Sequence, residues 1–225
     1  MKQTGNTSRL FDFLERLAAN NSREWFAENK AEYLSLREEW LGDVQRLINA
    51  LAVYEPALAH VQAKDCAYRI YRDTRFSADK TPLKTYFSAL ISPTGRHSER
   101  AAYYLHMGVD ECALYGGVWC PDSKTLKKLR KAIVDNIEEF RGIVEDKEVV
   151  RLFPGWWGRA LKAAPKGYDR DHPDIEFLRL TEYGKCHNLD REFFDAPDWP
   201  EKAAAIMAVL KPMCDFLNYS IDEEI

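Results

Sequence analysis

Ala101-Ala102-Tyr103-Tyr104-Leu105-His106-Met107-Gly108-Val109 and Cys112-Ala113-Leu114-Tyr115-Gly116-Gly117-Val118-Trp119 are two aromatic and aliphatic runs separated by Asp110-Glu111. Short runs of this kind, bounded by turn residues, read as strands. A link of two residues returns the second run beside the first as an antiparallel hairpin. Cys66–Phe76 and Thr85–Ser92 have the same character and are bounded by Pro, Gly, Asp and Ser. The region 66–120 therefore reads as four strands.

Outward from that region the period changes. Leu10, Phe13, Leu14 and Leu17 recur at helical spacing after Thr7-Ser8, which can cap. Asn20-Asn21 breaks that helix, and Asn21 with Glu24 resembles a capping box for a second one. Tyr33, Trp40, Val44, Leu47, Ile48 and Leu51 give the second helix an apolar stripe, which Glu55-Pro56 ends. On the other side, Asp122 is a candidate N-cap, followed by Leu126, Leu129, Ile133, Ile137 and Phe140 along one helix face. The last third reads as short helices and loops, with helices expected over Ile175–Leu180 and Glu201–Asn218. Helices, then strands, then helices point to an α+β fold rather than to alternating βαβ units. The expectation is a mainly antiparallel central sheet, about residues 66–120, flanked by N- and C-terminal helices. With no repeat or Gly/Ser linker, residues 1–225 read as a single domain: helical 1–62, sheet 64–120, helical 121–225.

Composition excludes several classes. The 225 residues are 46% hydrophobic and 30% charged, with a net charge of −4, the profile of a folded globular chain. An acidic balance argues against bulk electrostatic binding of nucleic acid. The longest plainly apolar run, Ala203–Leu210, is far shorter than the roughly 20 residues a membrane span needs. The N-terminal segment lacks an apolar signal-peptide core. Cys66, Cys112, Cys120, Cys186 and Cys214 are odd in number and form no C-x-x-C pair. Buried, inert thiols in the reducing cytoplasm are expected.

The densest chemistry is Tyr68-Arg69-Ile70-Tyr71-Arg72-Asp73-Thr74-Arg75-Phe76-Ser77-Ala78-Asp79-Lys80-Thr81-Pro82-Leu83-Lys84. The window 64–84 carries +3, which leaves −7 for the rest. On a strand, Arg69, Asp73 and Arg75 share one face, and Arg72 points the other way with Ile70 and Phe76. Two guanidinium groups beside one carboxylate can pin a strand as an ion-pair lattice. They can equally leave donors free for a phosphate or carboxylate ligand.

The pattern R-x-x-R-D-x-R-F-x-x-D-K resembles the signature of a bacterial family, domain of unknown function 2461. That family's pattern continues to a Tyr three residues after the Lys, where this chain has Leu83, with Tyr86 close by. The resemblance extends to Asn20-Asn21-Ser22-Arg23-Glu24-Trp25-Phe26, Tyr103-Tyr104-Leu105-His106, Gly116-Gly117-Val118-Trp119-Cys120-Pro121 and Ala164-Pro165-Lys166-Gly167-Tyr168-Asp169-Arg170-Asp171-His172-Pro173. It implies a single-domain architecture and supplies no activity, substrate or catalytic residue.

The remaining constellations each have a bland and a sharp reading. His106, on one strand face with Tyr104, is a satisfied sheet histidine or a general base. Gly116-Gly117 suggests a bulge that aims Trp119 into the core, or a close ligand approach. Asp169, Asp171, His172 and Asp174 could supply metal ligands, but Arg170 interrupts them and a helix cap explains Asp171 or Asp174. No metal and no cofactor are assigned. Lys124, Lys127, Lys128, Arg130 and Lys131 form a solvated basic face or a groove for an acidic partner or nucleic-acid backbone. Trp156-Trp157 packs under a loop or offers a stacking platform.

The leading expectation is a site for an anionic ligand, phosphorylated ones included, at Arg69, Arg72, Asp73, Arg75, Lys80 and Lys84. His106 is the candidate for proton transfer should the site carry chemistry. The alternative is a non-catalytic module binding protein or nucleic acid, with the same motif as a structural ion-pair lattice.

Overall fold

The computed structural model describes residues 6–223. The first five residues of the expected N-terminal helical region and the last two of the C-terminal one lie outside the described residues. In chain order the helices are α1 Asn6–Ala19, α2 Arg23–Glu28, α3 Lys30–Leu51, α4 Ala63–Cys66, α5 Ser123–Asp135, α6 Ile137–Val144, α7 Lys147–Leu152, α8 Ile175–Arg179, α9 Trp199–Ala208 and α10 Lys211–Asp222. The strands are β1 Tyr86–Ile91, β2 Ala102–Gly108, β3 Cys112–Val118 and β4 Tyr183–Asn188. They form one antiparallel sheet in the order β1-β2-β3-β4, and the fold is α+β.

Three of the four expected strands are present, and the hairpin across Asp110-Glu111 joins β2 to β3. The segment 66–76 is not a strand. Cys66 ends α4, and the chain beyond it forms the isolated antiparallel bridges Ala67–Ala89 and Tyr71–Leu83 instead of a continuous ladder. Its aromatic and basic residues resemble a strand in composition, but Thr74-Arg75-Phe76 turns outward to solvent. The fourth strand is β4, in a stretch expected to hold only helices and loops. Tyr183-Gly184-Lys185-Cys186-His187-Asn188 carries a glycine and few β-branched residues, so local composition gives it little strand signal.

The chain packs as two compact units. One comprises the chain through Arg96, with Tyr104–Leu114 and Asn188–Ala205; the other comprises His97–Tyr103, Tyr115–His187 and the chain from Ile206. In the first unit, the stripe Tyr33, Leu36, Trp40, Val44, Leu47, Ile48 and Leu51 of α3 is buried, as its spacing requires. Trp40 packs on Phe87 of β1, with ring centroids 5.2 Å apart, and its indole N–H points to the Met107 sulfur of β2 at 3.2 Å. Alternation along β1 and β2 therefore commits Phe87, Ala89, Leu105 and Met107 to the core. Lys84, Tyr86, Ser88, Tyr104 and His106 fall on the alternate set of positions.

The expected caps are partly redistributed. Thr7 lies inside α1 and its hydroxyl donates to the Phe194 carbonyl. Ser22, not Asn21, caps α2 by accepting from the Trp25 N–H. Asn21 instead clasps Leu83: its amide donates to the Leu83 carbonyl at 2.9 Å and its oxygen accepts the Leu83 N–H at 3.2 Å. The expected second helix is thereby two, α2 and α3, joined at Asn29.

In the second unit, Asp122 caps α5 as expected, accepting the Thr125 N–H at 2.7 Å. The helix expected to run on to Phe140 breaks at Asn136 into α5 and α6. Gly117 has φ +133°, and a Cβ there would overlap the Tyr183 carbonyl oxygen, so only glycine allows β3 to lie this close to β4. Trp119 is not aimed into the core. It is 61% exposed and stacks on Trp157, with centroids 4.2 Å apart, while Trp156 stacks on buried Phe140. Cys66, Cys112 and Cys214 are buried, whereas Cys120 is exposed and holds φ +43°, its thiol donating to Glu182 at 3.0 Å.

Candidate functional site

The basic motif divides at Pro82-Leu83. Its first part is an exposed loop whose charges are satisfied within the loop. Arg75 grips Asp73 with two side-chain bonds, Nε at 3.0 Å and Nη2 at 2.7 Å. Asp73 also accepts the Arg75 backbone N–H, and these bonds hold its carboxyl at about 2. Arg72 pairs with Asp79 and with the Thr81 hydroxyl. Asp79 is likewise held at about 2, first by the Thr81 backbone N–H and then by Arg72. Lys80 donates to the Thr74 carbonyl at 2.9 Å. Phe76 stands almost wholly in water at 95% exposure, with the Arg75 guanidinium 5.7 Å from its ring centre.

The Asp73–Arg75 pair is thus a surface bridge rather than a partly buried one, with side chains 47% and 76% exposed. Arg69 takes no part in it as an ion pair. Arg69 is exposed and forms no hydrogen bond or ion pair of its own among the described residues.

The second part of the motif runs into β1 and behaves differently. The half-buried Lys84 ammonium lies 5.0 Å from the Tyr68 ring centre and 5.5 Å from that of Tyr86. Burial lowers its pKa, and the neighbouring Arg69 charge lowers it further. Among the described residues no carboxylate pairs with it. Tyr86 packs against His106 of β2, the rings tilted by 34° with centroids 4.3 Å apart. Gly108 makes this contact possible, because a Cβ there would stand 3.0 Å from both His106 Nε2 and Tyr86 Cβ. The His106 Nδ1 lies 3.5 Å from the Tyr104 hydroxyl, and Tyr104 meets Tyr68 edge-on at 6.2 Å.

These groups form one aromatic surface ringed by cations. Burial pushes the Tyr104 phenol up to about 12, opposed by a hydrogen bond from Ser88. Burial also raises Tyr68 and Tyr86, against the lowering pull of Arg96 on the first and Arg72 on the second. His106 is lowered by burial, raised by Glu111 and lowered again by Lys84. The ring is therefore neutral at pH 7 and can accept a proton.

Of the expected site residues, the structure brings together Lys84, Arg69 and His106, with Arg72 within electrostatic reach of Tyr86. It sets Asp73, Arg75 and Lys80 apart in the loop. Tyr68, Tyr86, Tyr104 and Arg96 were not expected to contribute. The period-two placement of Lys84, Tyr86 and Ser88, and of Tyr104 and His106, is the sequence signal that groups most of them. Arg96 had no such signal. Its backbone N–H and Nη1 donate to the Asp65 carbonyl at 3.0 and 3.1 Å, beside Gly95 at φ +68°.

A family model described as conserved hypothetical protein (DUF2461) matches residues 9–216, most of the chain. The chain belongs to this family. No curated protein and no solved structure matches it. The matched region holds both parts of the basic motif and the whole Tyr–His surface. Family membership assigns none of these residues a role, so their chemistry rests on the geometry of this DUF2461 chain alone. Among the described residues, no helix is long and apolar enough to cross a membrane.

The other expected constellations resolve simply. Asp174 is buried and accepts from Arg141, and its backbone N–H donates to His172 Nδ1 at 3.1 Å. Lys124, Lys127 and Lys131 are exposed on α5 as a solvated face requires, but Arg130 is buried.

Proposed function

We propose that the protein binds a small anionic ligand on the Tyr–His surface of β1 and β2, with Lys84 and Arg69 as its charged contacts. The observation that carries this reading is the Lys84 ammonium. It sits half-buried on two tyrosine rings, next to a second cation, with no carboxylate pairing it among the described residues. Two neighbouring like charges in a partly desolvated place raise each other's cost, and an oxyanion between them would remove it. Ring faces attract a cation but leave its N–H donors available. Phosphate or carboxylate oxygens fit those donors, and Arg69 offers a planar fork. His106 stands beside Lys84 to exchange a proton with the bound group.

The test is a titration of the unfolding midpoint with a panel of phosphorylated and carboxylated metabolites. A ligand at 100 times its Kd stabilises the fold by about 2.7 kcal/mol. The shift is expected in the native protein and is smaller in both Arg69→Lys and Lys84→Met. A panel that leaves the native midpoint unmoved, or a shift that keeps its full size in Lys84→Met, overturns the reading.

Phe76 favours a second reading, a non-catalytic interaction module. A fully exposed aromatic ring beside Arg75, at the tip of a loop whose ion pairs are internal, is a contact element for another macromolecule. Loss of a partner in Phe76→Ser, with the metabolite panel inert, would select it.

A further inference from the structure

The second unit contains a buried cation that the site above does not use. Arg130 projects from α5 and is only 8% exposed. Its Nη2 donates to the Leu180 carbonyl at 3.0 Å, and the guanidinium also donates to the Tyr183 phenol. Its Nε–H has no acceptor among the described residues, and no carboxylate there forms an ion pair with it. The one other buried side-chain polar atom without a partner among the described residues is the Nε of Arg179. Arg179 immediately precedes Leu180, the residue to which Arg130 is bonded, so both orphaned donors belong to the end of α8 and the α5 face beside it. Arg179 has one acid, Glu176, at 3.3 Å on its Nη1.

Desolvating a guanidinium is costly unless its donors and its charge are met, and carboxylates usually meet them. Here two carbonyl-type or phenolic acceptors serve five donors on Arg130. The half-buried phenol of Tyr168 lies within electrostatic reach of Arg130 and of Asp135 and Lys131, which pair with each other. An oxyanion would accept the Nε–H donors, neutralise the buried charge and take a further bond from Tyr168.

We propose that Arg130, Arg179 and Tyr168 form a binding site for the phosphoryl group of a small phosphomonoester. A nucleic-acid backbone fits the same helix less well, because two of its four lysines are engaged. Lys128 donates to the carbonyls of Ile221 and Glu223 at 3.0 and 2.7 Å, and Lys131 pairs with Asp135. The exposed row left for a polyanion is Lys124 and Lys127.

The experiment follows the Arg130 Nε–H resonance of the full-length protein by 15N NMR during titration with inorganic phosphate and phenyl phosphate, against chloride at matched ionic strength. A saturable shift with both phosphates and none with chloride is expected, together with a rise in the unfolding midpoint. The midpoint rise should shrink in Arg130→Met, while Lys84→Met should leave the resonance shift intact, which separates this site from the one on β1 and β2. An Arg130 resonance that ignores phosphate overturns the proposal, and needs no variant to fold. So does an equal midpoint rise in Arg130→Met. A response to a single-stranded oligonucleotide but not to phenyl phosphate overturns it too, in favour of the basic helix as a backbone groove.

Discussion

The loop from Arg72 to Thr81 and the adjoining strand face from Lys84 to His106 both carry cations, yet they solve the charge problem differently. In the loop, each cation meets an acid or a carbonyl a few residues away: Arg75 with Asp73, Arg72 with Asp79, Lys80 with the Thr74 carbonyl. On the strand face the neighbours are rings, and Lys84 rests on Tyr68 and Tyr86. An exposed loop can bend until its charges pair, and water screens whatever remains. A strand holds its side chains at fixed spacing, so a cation there keeps the neighbours that register assigns to it. The more crowded half of the motif is thus electrostatically closed, and the sparser half is the one left with binding capacity.

Breaking the junction between the two halves should have the largest effect. Asn21→Ala removes both bonds to Leu83 and leaves a part-buried N–H and carbonyl without partners. A loss of about 1–3 kcal/mol is expected, read as a lower denaturant midpoint. The Asp73 and Asp79 carboxyls should still titrate near 2 in that variant, since their partners lie within the loop. Carboxyls that return to ordinary values would show that the loop depends on the strand face.

A smaller effect sharpens the comparison from the other side. Burial and Lys84 lower His106, with Glu111 opposing, so the folded protein prefers the neutral ring. The unfolded chain then binds more protons as pH falls through the ordinary histidine value of 6.5, and stability declines with acidification below it. Lys84→Met removes one depressing charge and should raise the His106 midpoint in an NMR titration. Arg75→Gln should leave it where it is. Equal responses to the two variants would mean that the loop and strand charges act as one field.

The smallest effect is expected for Asp73→Ala. Its pair with Arg75 is open to solvent, so the unfolding midpoint at neutral pH should not change measurably. A clear destabilisation would show that the loop contributes to the fold rather than decorating it.

How much of this the chain discloses by inspection depends on the range of the interaction. The α3 stripe, the β2–β3 hairpin and the Asp122 cap are all local patterns, and each is where its spacing puts it. The strand β4 is not local. Tyr183–Asn188 is a strand because it pairs with β3, and Gly117 permits the approach from a distant position in the chain. The motif's residues could be named from the sequence, but not their partners. Whether Arg75 faced Asp73 or a ligand depended on the segment being loop instead of strand, and aromatic-rich composition suggested the wrong one. Tyr68 and Arg96 joined the surface through tertiary contacts that leave no periodic trace.

The irregular path of residues 67–72 has one more effect, on the behaviour of many molecules together. β1 is a terminal strand, and terminal strands offer unpaired backbone groups to other chains. Here that border is occupied: the Tyr68 N–H donates to the Ser88 carbonyl, Ala67 bridges Ala89, and Lys84 N–H donates to the Ile70 carbonyl. The covering segment is too irregular to serve as a template in its turn, and it carries the exposed charge of Arg69. The same residues that frame the Tyr–His surface therefore discourage edge-to-edge growth of sheets, and variants that loosen them should show it first as aggregation at high concentration.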